Sequence, residues 1–122
     1  MKKIDLTPFT IPVLIPVVDE KGAIQTGEGN SRQMTWQHVP YPFIDNIINI
    51  VLNSKQEVTA RQLLERNMVC EKLELAEKSG DTELLLDQKE YEMLTLSFEN
   101  FKGFGRNDVE MVKRILSAPE VE

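Results

Sequence analysis

A chain of 122 residues, 41% hydrophobic and 28% charged, has the size and composition of one globular domain, and a second domain is not expected. Its net charge of −6 is unevenly placed: acids and bases cancel over residues 1–55, while the remainder carries nine basic against fifteen acidic residues. That balance excludes the clustered basic footprint that direct nucleic-acid binding requires. The chain has no apolar run of about 18 residues, and Met-Lys-Lys at its start leads into Asp5 and three prolines rather than an apolar core with a cleavage site, so no membrane span or leader is expected and a cytoplasmic location follows. Cys70 is the only cysteine, which rules out an internal disulfide and agrees with a reducing compartment.

Residues 1–18 read as an extended apolar arm with prolines at 8, 12 and 16. All three are even positions, and alternate backbone N–H groups of a strand point to one edge. The prolines therefore delete donors along a single edge and leave those of Ile11, Val13, Ile15 and Val17 intact, as in an edge strand paired on one side only. Residues 19–22 (Asp-Glu-Lys-Gly) signal a turn, and the polar, glycine-bearing residues 25–32 read as a flexible loop. Gly27-Glu28-Gly29 lacks the third glycine of a dinucleotide loop and the Lys-Ser/Thr of a P-loop, so it carries no phosphate-site expectation. Residues 33–39 alternate, with Met34, Trp36 and His38 on one face, and are expected to form a second strand antiparallel to the arm.

Pro42 suits the first turn of a helix whose Phe43, Ile44, Ile47, Ile48 and Val51 fall at helical spacing. The next helix is the best punctuated stretch of the chain: Thr59 followed by Gln62 is a capping-box pair, and Gly80 supplies a left-handed stop. At about 100° per residue, Ala60, Leu63, Leu64, Met68 and Leu75 fall on one side of it, and Val69, Leu73 and Ala76 nearly opposite. Two stripes mean either a helix sandwiched in its own domain or a second stripe that meets another chain. Residues 82–86 read as a short connector or a strand pairing with the N-terminal hairpin. Asp87 with Glu90 starts a helix with Tyr91, Leu94, Phe98 and Phe101 on one face and Gly103 as its stop. Asn107 with Glu110 starts a last helix with Val109, Val112, Ile115 and Leu116 inside, ended by Pro119, and residues 120–122 read as a loose tail. The expected fold is thus α+β and mainly α, a single domain with an extended arm and hairpin over 1–39, about four helices over 40–118 and a tail over 119–122.

No pattern of catalytic or cofactor chemistry emerges. His38 is the only histidine, so a histidine-based metal site or nucleophilic triad would have to be built around it. Its neighbours Trp36 and Pro40 suit a structural role. Cys70 within a helix reads as a small buried hydrophobe. The carboxylates at 71, 74, 77, 81, 83, 87, 90 and 92 face Lys72, Lys78 and Lys89 alone, and their spread along helix surfaces and caps is unlike a paired acid and base. They do form a negative surface, centred on Glu74, Glu77 and Glu83, that could imitate a phosphate backbone and enter a basic groove of another protein. No catalytic residue, cofactor, metal or small-molecule substrate is expected.

Leu63-Leu64, then residues 72–78 (Lys-Leu-Glu-Leu-Ala-Glu-Lys), then 83–87 (Glu-Leu-Leu-Leu-Asp), then a capped helix and a last one resembles small phage-encoded proteins. In those, a helix of this type is followed by a short connector and two short helices. The resemblance covers residues 58–118 and implies a phage or prophage origin, with a place in the host cytoplasm or the virion. With no catalytic constellation, the expectation is a non-enzymatic structural or assembly protein, a minor virion component or a tail-assembly chaperone-like protein. Such a protein acts by contact with a protein partner or with itself, through Val69, Leu73 and Ala76 or through Ile11, Val13, Ile15 and Trp36. The alternative is an acidic regulator that binds a host protein, in the manner of a nucleic-acid mimic.

Overall fold

A computed structural model of the protein describes residues 1–16, 34–53 and 57–121. The expected turn at 19–22 and loop at 25–32 lie outside these residues. The described fold is α+β and mainly α. Strands β1 (Lys2–Asp5), β2 (Thr10–Pro16) and β3 (Met34–Pro40) precede helices α1 (Phe43–Val51) and α2 (Ala60–Ser79). Strand β4 (Glu83–Leu86), helix α3 (Gln88–Asn100), a 3-10 turn (Arg106–Asp108) and helix α4 (Val109–Leu116) follow. The chain divides into two compact units, a helical one of Met1–Pro8 with Pro42–Glu122 and a hairpin unit of Phe9–Tyr41. The expected arm is therefore shared between the two units, because it is not one strand.

The break in the arm has a local cause. The Thr7 amide donates to the Asp5 carboxylate at 2.9 Å, a side-chain turn that bends the chain just before Pro8. Arg114 holds the bend from α4, donating to the carbonyls of Thr7 at 2.6 Å and Asp5 at 3.3 Å. Ahead of the bend, β1 pairs antiparallel with β4, Lys2 opposite Leu86 and Ile4 opposite Leu84. The segment at 83–86 is thus a strand, and its partner is the first part of the arm rather than the hairpin. Ile4 and Leu86 share the inward face and are fully buried, while Lys3 pairs with Glu83 outside at 3.8 Å. The tail is not loose: Lys3 donates to the Pro119 carbonyl at 3.0 Å, and Val121 donates to the Met1 carbonyl at 2.7 Å, on the other side of β1 from β4.

The core of the helical unit joins Ile4, Phe43, Ile47, Val51, Val69, Leu73, Leu86, Leu94, Phe98, Met111 and Ile115. Capping chemistry places the helices around it. Thr59 and Gln62 form the reciprocal capping box of α2, and Asp87 and Glu90 that of α3. Gly80 ends α2 at φ +71°, a conformation that favours glycine. The final helix departs from expectation. The Asp108 carboxylate accepts the Gly105 amide at 2.7 Å within the 3-10 turn, and α4 then presents Met111 and Ile115 inward, while Val109 and Leu116 are exposed. The buried Tyr91 hydroxyl donates to the Ile115 carbonyl at 2.6 Å and ties α3 to α4.

Candidate interaction surfaces

Helix α2 resolves its two stripes in the direction opposite to the one expected for an interface. Val69, Leu73 and Ala76 are buried with Cys70 and Arg66, so they belong to the core and are not available to a partner. Leu64, Met68 and Leu75 are the exposed side, at 67%, 59% and 66% of their full accessibility. They lie four and seven residues apart with Glu71 between them, a row of roughly 16 Å along the helix at 1.5 Å per residue. The distinguishing signal is the interruption by charge. Glu71 and Lys78 fall within the outward row, whereas among the buried residues of the inward one Arg66 alone is charged, and it donates to the Val51 carbonyl at 3.3 Å and so joins α2 to the end of α1.

In the hairpin unit, the register sets Leu14 opposite Trp36, Pro12 opposite His38 and Pro16 opposite Met34. Directly opposed residues share a face. Trp36, 67% exposed, therefore sits beside Leu14 and Met34, while Ile11, Val13 and Ile15 share the other face with Thr35, Gln37 and Val39 and are half-buried. The four expected interface positions are thus split between two faces. Met34 was legible as a same-face neighbour of Trp36 from the alternation of one strand, whereas Leu14 joins them only through the register. At the base of the ribbon, the Tyr41 amide donates to the Phe9 carbonyl at 3.0 Å, and the two rings stack at 4.9 Å.

The acidic side chains are also divided. Glu74 and Glu77 line an open cleft of about 500 Å³ with Asp45 and Lys78, between α1 and α2. Glu83 lies instead in a cleft of about 430 Å³ with Lys3, Asp5, Thr7 and Arg114. Its charges are matched in place, Lys3 with Glu83 and Arg114 with Glu110 at 3.0 Å. The Thr7 hydrogen bond and Arg114 hold the Asp5 carboxyl below its usual range. Two more carboxylates in the acidic half are paired across α2 and α3, Glu90 with Lys72 and Glu65 with Lys89. Cys70 is buried, and burial followed by the charge of Glu74 pushes its thiol up to about 11. A thiol held protonated is a poor nucleophile. His38 lies in the hairpin unit and Cys70 in the helical unit. Among the described residues, no group of three or more His, Cys, Asp or Glu is placed to hold a metal ion, and no helix is long and apolar enough to cross a membrane.

No protein-family model, curated protein or solved structure matches this chain.

Proposed function

We propose that the protein is non-enzymatic and works by protein–protein contact, as an assembly or minor structural component of a phage, the role implied by the resemblance of residues 58–118. The observation that supports this reading is the exposed row on α2. A helix whose body-facing side is already filled by Val69, Leu73 and Ala76 still carries Leu64, Met68 and Leu75 to solvent. An apolar helix face of this spacing is the form in which a helix lies in a groove of another protein. Burying each such side chain would contribute about 1.5–3 kcal/mol.

The test uses the full chain as bait in extracts of phage-infected or lysogenic cells. Leu64→Ser combined with Leu75→Ser should abolish specific capture, and raising salt should change it little. Glu74→Lys with Glu77→Lys should leave capture unchanged. The reverse pattern, with capture lost on charge reversal and weakened by salt, would overturn this reading. It would favour the acidic regulator instead, for which the gathering of Glu74, Glu77 and Asp45 around one cleft is the supporting observation.

A further inference from the structure

The two outer edges of the hairpin are chemically unequal. The Tyr41 amide donates across the ribbon to Phe9, which fixes the direction of every backbone group in a register without a bulge. Odd-numbered residues point their N–H and C=O groups at the partner strand, and even-numbered residues point theirs outward. On β2 the outward positions are Thr10, Pro12, Leu14 and Pro16, so proline removes every second donor. On β3 they are Met34, Trp36, His38 and Pro40, and the first three carry intact N–H groups. Among the described residues, β3 has no strand beyond it.

We propose that a second copy of this chain pairs along the outer edge of β3, antiparallel and two-fold, with Trp36 opposite Trp36 of the second copy and Met34 opposite His38. In that register each of the three outward residues exchanges both backbone bonds with its counterpart. The two indoles meet on one face, each flanked by Leu14 of its own ribbon. This inference concerns the hairpin unit and does not rest on the α2 reading.

A second copy is the occupant for reasons of charge, closure and size. β2 and β3 contain no Asp, Glu, Lys or Arg. In a chain of net charge −6 they are where two copies can meet without like-charge repulsion, and they offer a charged peptide no complement. Joining β3 to β3 leaves β2 at both ends of the new sheet, where Pro12 and Pro16 oppose further addition. The assembly closes as a dimer instead of growing into a fibre. A two-stranded ribbon is at best marginally stable by itself, and four strands meet the requirement that it lacks.

Sedimentation equilibrium of the full chain should give twice the 14.0 kDa of one copy at micromolar concentration. Trp36→Lys and Trp36→Glu place like charges on the two-fold axis, and each should weaken the dimer at least about thirtyfold. Circular dichroism melting should show the helical unit unchanged in both. An equimolar mixture of the two variants should recover the dimer as a heterodimer, which requires residue 36 of one copy to lie against residue 36 of the other. A wild-type monomer throughout the range to about 100 μM, a Trp36→Lys protein that remains dimeric, or a mixture that stays monomeric would each overturn the proposal.

Discussion

Two leucines on α2 show how far a two-residue shift changes the physical role of one side chain. Leu73 is 1% exposed and Leu75 66% exposed, about 200° apart around the helix. Leu73→Ala removes buried methyl groups and leaves a cavity in the core, so urea denaturation should show a loss of about 2–4 kcal/mol. Leu75→Ala should stay within about 0.5 kcal/mol of the parent. Equal losses would mean that the outward row is packed. Cys70 offers a second measurement from the same buried side. Its thiol is raised to about 11, first by burial and then by Glu74, against about 8.5 in an unfolded chain. A raised folded value means that the unfolded state releases its proton first as pH increases. The contribution of the neutral thiol is therefore full below about pH 8.5 and is lost as pH rises toward 11. Stability of the parent should fall more steeply between pH 8.5 and 10 than that of Cys70→Ala, and a disulfide reagent at pH 8 should label Cys70 only as fast as the helix opens.

At the scale of elements, the parts legible in the sequence were those fixed by neighbours. Thr59 with Gln62, Asp87 with Glu90 and Gly80 act within one helical turn, and each cap is present with the bonds that its pattern implies. The proline-bearing strand and its antiparallel partner were legible for the same reason, since parity is a local property. Parity also sorts Ile11, Val13 and Ile15 away from Trp36, a consequence that follows once the register is known. Contacts between distant parts of the chain were not legible. The pairing of β1 with β4, Lys2 opposite Leu86, spans most of the chain, and the return of Val121 to Met1 spans nearly all of it. No periodicity in either segment names its partner. The start of α4 failed differently, because Asn107 and Asp108 are adjacent residues of similar capping chemistry, and the Asp108 carboxylate is spent on the Gly105 amide ahead of the helix. For the candidate surfaces, the sequence singled out α2 and the ribbon. The stripe it offered to a partner, Val69, Leu73 and Ala76, is the one that faces inward, since facing depends on where β4, α1 and α3 pack.

For the whole molecule, the arrangement in two units, with the proposed dimer contact confined to the hairpin unit, predicts that folding and self-association are separable. The core of the helical unit, from Ile4 to Ile115, draws on residues before Pro8 and after Pro42. Between them, Phe9 and Tyr41 are joined by a backbone hydrogen bond of 3.0 Å, so their Cα atoms are about 5.5 Å apart. A glycine-serine link of about four residues can therefore replace Phe9–Tyr41 without stretching the chain on either side. Such a protein should unfold in one cooperative transition, with a melting temperature within a few degrees of the parent. It should be monomeric in sedimentation at every concentration at which the parent is dimeric, because β3 has been removed. It should still lose partner capture on Leu64→Ser with Leu75→Ser, because α2 has not. A hairpin-less chain that fails to fold would show that the helical unit depends on the ribbon, and one that folds and still dimerises would move self-association from β3 to the outward row of α2.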